Sequence, residues 1–445
     1  MKLIYNVEDR PKFGQVIIYA IQQLLAIMAA TLVVPVIIGN GMQPSAALFG
    51  AGVGTLVYLL FTKFKSPVFL GSSFAFLGSM GAAFGGAASV SVGYAGLIIG
   101  AVIAGLVYVI IAIIVKLAGV AWIEKLMPKQ VIGPTVAIIG LSLAGNAVGD
   151  LQKGGYAVEG APTANVLIAV LIGLVTLAVT MLCSTYGKKT LKLIPFIIGI
   201  LSGYAVAAIF TGIGIATGND ALRVIDFGVF SNMAVFEVPK FTFMTAIDGV
   251  KEINATYVTS IAVAYAPVAF VVFAEHIADH KNISSIIERD LLKEPGLHRT
   301  LLGDGIGSMV GAIFGGCPNT TYGESVACVA ITGNASVVTI LGASIGAIII
   351  SFVSPFVRFV NSIPPCVMGG VCMALYGFIA VSGLKMIKDV DLGKNKNLFV
   401  VSVILIAGIG GLTLTFGEVT ITSIAVALIL GILANLMLQK APDEE

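Results

Sequence analysis

Long apolar runs alternate with short polar breaks from one end of the chain to the other. Stretches near Phe13–Gly39, Ala46–Thr62, Val92–Ala118, Val131–Val148, Ala164–Cys183, Leu193–Ile215, Val258–Ala278, Val337–Val353, Cys366–Met386, Leu398–Leu414 and Ile421–Leu438 each reach or approach the ~20 residues that carry a helix across a bilayer. Three weaker stretches, Val68–Gly86, Leu301–Gly315 and Gly316–Thr332, are rich in Gly or interrupted by Pro. Taken together, the pattern predicts an all-α polytopic membrane protein of about 14 transmembrane segments with both termini on one side. Gly149–Thr163 and Gly218–Thr256 read as external loops and His280–Arg299 as a charged internal loop; Thr242–Lys251 reads equally as an interfacial helix or a plain connector.

Composition agrees with this pattern: 58% of the 445 residues are hydrophobic and only 11% charged, too apolar for a soluble domain. A net charge of +2 with no run of like charges points away from a nucleic-acid partner. Charge reports topology instead. All but five of the 25 lysines and arginines fall on the side that carries the termini, the exceptions being Lys153, Arg223, Lys240, Lys251 and Arg358. The positive-inside bias therefore places both termini in the cytoplasm of a cell inner-membrane protein. The five cysteines have no metal or redox spacing and read as buried free thiols. Residues 1–12 lack the apolar core and cleavage site of a secretory signal.

The two halves share unusual features at similar separation. Pro128-Lys-Gln-Val131-Ile-Gly133 opens one span and Pro364-Pro-Cys-Val367-Met-Gly369 another. Gly71-Ser-Ser-Phe74-Ala-Phe76 and Asn319-Thr-Thr-Tyr322-Gly-Glu324 both set two hydroxyl residues before an aromatic. A unit with an odd number of spans inverts when repeated, so the pattern predicts two inverted seven-span repeats. Spans 3 and 10 are then short, broken segments at the midplane, each aiming a half-helix amino terminus at a shared site.

Few of the 23 acidic residues fall within the spans. A carboxylate there costs roughly 2.5–3.5 kcal/mol even on the lenient insertion scale, so each is a candidate for a substrate or proton path. Glu275 and Asp279 share one helical face, with His276 and His280 on the adjacent one. His276 is expected to orient Glu275 or to relay protons. Glu324 follows the second break near a helix start. Asp304, beside Gly303 and Gly305, is accounted for as a helix cap, and Glu418 as a loop-edge residue. These groups suit a small planar solute carrying N–H donors and carbonyl acceptors. Glu275 and Glu324 accept from its N–H groups, backbone N–H groups near Phe74 and Gly323 donate to its carbonyls, and an aromatic, Phe74 or Tyr322, covers the ring. Uracil presents that pattern.

On GSSFAF at 71–76, AEH at 274–276, DLLKEPGLHR at 290–299 and PNTTYGE at 318–324, the chain resembles the nucleobase–ascorbate transporter (nucleobase:cation symporter) family, and within it the bacterial uracil permeases. The resemblance covers nearly the whole chain. It implies a core domain from residues 1–120 and 255–360, a gate domain from residues 121–254 and 361–445, a homodimer, proton symport and no cofactor or metal. By position it implies substrate binding by Phe74, Glu275, Tyr322, Gly323 and Glu324, and proton coupling through Glu275, Asp279 and His276. Three departures stand out. Gln22-Gln23 replaces the Gln-His common in the first span, Ser325-Val326-Ala327 replaces Asn-x-Gly after the site acid, and Asp279 stands where a proton-linked histidine is frequent. Xanthine or another oxopurine is the alternative substrate class. Anion exchange on the same architecture is a further alternative, opposed by the two glutamates. An intramembrane enzyme finds no HExxH, GxSxG or metal-ligand cluster in the sequence.

Overall fold

The structure, a computed structural model, describes residues 3–119, 121–188, 190–231, 233–416 and 419–439. Lys2, Lys189, Lys440 and Glu418, used above for topology and loop assignment, lie outside the described residues. Among the described residues, eight helices are long and apolar enough to cross a membrane, with shorter apolar helices between them. The protein is a multi-pass membrane protein.

The order of elements occurs twice. The first half runs through helices Phe13–Ile38 and Pro44–Phe61, strand Leu70–Ser72 with helix Leu77–Gly85, helix Val90–Ala118, and then helices Lys129–Ser142, Val166–Tyr186 and Pro195–Thr217. The second runs through Ala255–Ile287 and Leu297–Gly315, strand Asn319–Thr321 with helix Gly323–Thr332, helix Val337–Ile350, and then Pro365–Ile387, Asn395–Ile409 and Ser423–Leu438. The two strands pair antiparallel, Leu70 with Thr321, Gly71 with Thr320 and Ser72 with Asn319, as an inverted repeat requires.

Lipid tails are as apolar as leucine, so helix association here depends on close packing of small residues more than on hydrophobic burial. Pro44–Phe61 and Leu297–Gly315 meet through facing glycines. A Cβ on Gly54 would lie 2.7 Å from the Gly307 carbonyl oxygen, and one on Gly307 would lie 2.6 Å from that of Gly54. Lys129–Ser142 and Pro365–Ile387, which carry the repeated Pro-x-x-Val-x-Gly motif, pack on each other. There, a Cβ on Gly133 would lie 3.1 Å from the Gly383 carbonyl oxygen. The lipid-facing surfaces are apolar side chains left open, among them Leu167, Leu174, Leu182 and Ile209.

Two expected boundaries change. The His280–Arg299 loop is shorter, because the Ala255–Ile287 helix continues well past Ala278 and ends at Glu288 in a left-handed conformation (φ 53°). The segment expected over Val131–Val148 is not one uninterrupted helix; it breaks at Leu143 between Lys129–Ser142 and Ala144–Leu151.

Candidate functional site

The strands Leu70–Ser72 and Asn319–Thr321 each follow a proline, Pro67 or Pro318, that interrupts a helical ladder, and extended backbone inside a membrane must find partners. Their ladder extends at both ends, Ser73 N–H donating to the Pro318 carbonyl at 2.9 Å and Tyr322 N–H to that of Phe69 at 3.3 Å. The outer edges are satisfied by side chains in matching places of the two repeats. Leu70 N–H donates to Thr55 Oγ1 at 2.9 Å, and Asn319 N–H donates to Ser308 Oγ at 3.0 Å. Gly71 is required by a close approach: a Cβ there would lie 2.5 Å from the Tyr322 ring. The Tyr322 hydroxyl donates to the Ser72 carbonyl at 2.5 Å, which fixes the ring across the strand pair.

Each strand runs directly into a helical start. Ser73 leads into the 3-10 turn Phe74–Phe76, which continues as Leu77–Gly85, and Tyr322 leads into Gly323–Thr332. Both lead residues are extended (ψ 125° and 124°), and neither start has a side-chain cap. First-turn N–H groups of each therefore face the cavity without a side-chain cap, although the Glu324 N–H is met by its own carboxylate. Both starts open on one cavity of about 410 Å³, within the ~300–1,000 Å³ range of small-molecule sites.

Phe74, Glu275, Asp279, Tyr322, Gly323 and Glu324 all line that cavity. Glu275 and Asp279 come from the Ala255–Ile287 helix, and Glu324 from the first turn of Gly323–Thr332. Asp279 accepts a hydrogen bond from Thr321 Oγ1 at 3.0 Å, joining its helix to the strand pair. The facing wall is mainly apolar, with Val136 and Ile139 from one motif-bearing helix and Leu375, Phe378 and Ile379 from the other, and Ser382 and Lys192 as its polar residues. Phe74 meets Tyr376 edge to face, with ring centroids 6.0 Å apart.

His276 is the exception. It is fully buried and turned away from the cavity, with Nδ1 2.7 Å from Asp304 Oδ2 and Nε2 3.0 Å from Thr300 Oγ1. The expected orienting bond to Glu275 is therefore not formed: neighbouring helical residues point about 100° apart, and both ring nitrogens face the Leu297–Gly315 helix. Asp304 is corrected with it. It lies in the interior of Leu297–Gly315, 1% exposed, so capping does not account for it. His280 continues the same buried row, bonding the His276 carbonyl through Nδ1 and the Tyr58 hydroxyl through Nε2, both at 2.8 Å.

Two of the sequence's departures meet here. Gln23 Nε2 donates to Ser325 Oγ, which also accepts from Phe69 N–H at 3.0 Å. One hydroxyl thus ties the first helix to both broken segments, next to Glu324. Sequence reasoning flagged Gln22-Gln23 and Ser325 separately and missed their contact. It also missed the apolar wall, whose residue types carry no chemical signal, and the bond to Asp279 from Thr321, a hydroxyl noted only as part of the repeat.

The family model described as "Permease family" (Xan_ur_permease) matches residues 14–416. The chain belongs to this permease family. Among curated members, it is 40% identical to the uracil permease of Bacillus caldolyticus over 445 residues, covering 99% of this chain and 96% of that one. It is 36% identical to the uracil permease of Bacillus subtilis (strain 168), covering 100% and 97%, and 35% identical to that of Escherichia coli (strain K12), covering 96% and 92%. Solved structures share the fold at low identity. The transmembrane domain of the cyanobacterial bicarbonate transporter BicA aligns with a TM-score of 0.60 at 14% identity, covering 96% of this chain and 99% of that one. Murine Slc26a9 in its inward-facing state aligns with a TM-score of 0.66 at 12% identity, covering 97% of this chain and 69% of that one. This chain thus shares its fold with proteins named as a bicarbonate transporter and an anion transporter, while its own cavity is lined by three carboxylates and Lys192.

Proposed function

We propose that the chain imports uracil across the cytoplasmic membrane by proton symport and alternating access. The observation that carries this reading is the convergence of Glu275, Glu324 and two uncapped helix starts, at Phe74 and Gly323, on one cavity. Uracil offers two ring N–H donors and two carbonyl acceptors in one plane. Carboxylates accept from the donors, backbone N–H groups donate to the carbonyls, and Phe74 and Tyr322 contribute apolar surface. The relatives named as uracil permeases support the same substrate.

In this reading an external proton neutralises Glu275 or Asp279, which reduces like-charge repulsion among the three acids and lowers the cost of closing the site in a low dielectric. His276 holds the Ala255–Ile287 helix through Asp304 and carries no proton to the cavity. Residues 1–120 and 255–360 form the core that bears the site, and residues 121–254 and 361–445 form the gate against which it moves. The functional unit is a homodimer with both termini cytoplasmic, driven by the proton gradient without a cofactor.

The test is uptake of labelled uracil into proteoliposomes with an imposed pH gradient, with and without a protonophore, competed by excess xanthine. Gradient-dependent uptake that xanthine leaves intact is expected. Glu275→Gln should bind base yet lose accumulation, and Glu324→Ala should lose binding. Concentrative uptake by both variants at the wild-type rate defeats the assignment, while uptake abolished by xanthine transfers it to an oxopurine.

A further inference from the structure

A second cavity, of about 1290 Å³, opens at the lysine-rich end of the molecule. It lies between Val90–Ala118 and Ala255–Ile287 on one side and Lys129–Ser142 and Pro365–Ile387 on the other. It adjoins the substrate cavity, since Ala278, Ser382 and Met386 line both. Its walls are mainly apolar, half-buried Ile132, Ile277 and Leu292 lining it in front of the core residues Phe273 and Leu297, and five lysines ring it together with His298 and three aspartates. Two of these are paired, Lys129 with Asp389 at 2.6 Å and Lys293 with Asp290 at 3.4 Å. The third acid, Asp391, accepts from Gly393 N–H at 3.0 Å. Lys116, Lys281 and Lys385 lie within ion-pair distance of no carboxylate among the described residues.

We propose that this cavity binds an anionic phospholipid, its phosphate held by Lys116, Lys281 and Lys385 and an acyl chain lying along the Ile132, Ile277 and Leu292 wall. The volume exceeds the ~300–1,000 Å³ of small-molecule pockets. The lining combines two chemistries that a lipid also combines. A free phosphate would meet the lysines and leave the apolar wall in water, whereas a neutral lipid would cover the wall but gain no attraction from the three exposed ammonium groups. An anionic lipid satisfies both. Long lysine side chains suit the task, because their stems lie on apolar surface while their heads stay at headgroup depth. Such a lipid touches both pairs of helices at the mouth of the substrate cavity, so it controls how readily that mouth changes width. The inference rests on the membrane fold and not on the identity of the transported solute.

The test uses the full chain in vesicles of neutral lipid doped with photoreactive phosphatidylglycerol or photoreactive phosphatidylcholine. Labelling by phosphatidylglycerol on peptides containing Ile132 or Ile277 is expected, with phosphatidylcholine labelling them several-fold less. Lys281→Gln and Lys385→Gln should each weaken labelling about fivefold, following the contribution of a single lysine near an anionic surface. Lys281→Arg keeps the charge and should restore labelling, which separates loss of the site from loss of the fold. Equal labelling by the two lipids overturns the proposal. Displacement of phosphatidylglycerol by inorganic phosphate or uridine monophosphate also overturns it, in favour of a soluble anion. Labelling is read without uptake, so a failed uracil assay leaves this outcome distinct.

Discussion

Removing His276 should destabilise the protein through Asp304 rather than through the transport site. His276 is 0% exposed and Asp304 1%, their side chains are 2.7 Å apart, and the other Asp304 oxygen, Oδ1, has no hydrogen-bond partner. In His276→Ala the carboxyl group loses its imidazole partner and stays out of reach of water. Interhelical hydrogen bonds in membrane proteins average only about 0.6 kcal/mol, because partners are also found in the unfolded chain within the bilayer. Leaving a buried polar group without its partner instead costs about 1–3 kcal/mol. The second figure governs here, since Asp304 Oδ1 already has no hydrogen-bond partner. A double-mutant cycle of His276→Ala and Asp304→Ala, read from unfolding in mixed SDS micelles, should therefore give a coupling of at least about 1.5 kcal/mol, near the upper end measured for such bonds. The double variant should be no less stable than His276→Ala alone. A coupling at or below about 0.6 kcal/mol would refute the reasoning, because the pair would then be an ordinary interhelical contact.

Other substitutions separate the site's construction from its chemistry. A Cβ on Gly323 would meet only Asp279 Oδ1, at 3.7 Å. Gly323→Ala should thus fold with unchanged or slightly higher stability, within about 1 kcal/mol, while uracil affinity measured by calorimetry falls at least about tenfold as the methyl enters the cavity. Unchanged affinity would remove the Gly323 backbone from the binding site. Gly71→Ala should do the reverse, overpacking the Tyr322 ring at a cost of about 1–3 kcal/mol visible as a lower melting temperature in detergent. A stable Gly71→Ala protein would mean that the strand pair yields easily. Ser325→Ala should lower uracil binding more than Gln23→Ala, because it also leaves Phe69 N–H unpaired, and the double variant by scarcely more than Ser325→Ala, because the Gln23 bond is already lost there. Additive losses would show two independent contributions.

What the sequence revealed and what it concealed follow from the range of each interaction. The membrane fold was legible because hydrophobic length and lysine distribution are properties of contiguous segments. The inverted repeat was legible because it copies itself into residue order, as in GSSF against NTTY and in the two Pro-x-x-Val-x-Gly motifs. Cavity-lining acids were legible because charge inside an apolar run is costly and therefore rare. His276 and Asp304 were misread for the converse reason. Each was assigned a local partner, Glu275 for the histidine and a helix start for the aspartate, whereas their actual bond joins residues 28 apart in sequence on two packed helices.

The same distinction accounts for how the site is built. A single broken span would leave extended backbone unpaired in the membrane, at several kcal/mol for each exposed polar group. Two broken spans related by an inverted repeat run antiparallel, and antiparallel strands satisfy each other. The cost of each break is thereby offset by the other, and both helix starts are left uncapped at one cavity. Duplication is in this sense a structural condition for the binding site. A change confined to one strand edge, such as Thr55→Ala or Ser308→Ala, should therefore disturb the helix start of the opposite repeat as well as its own.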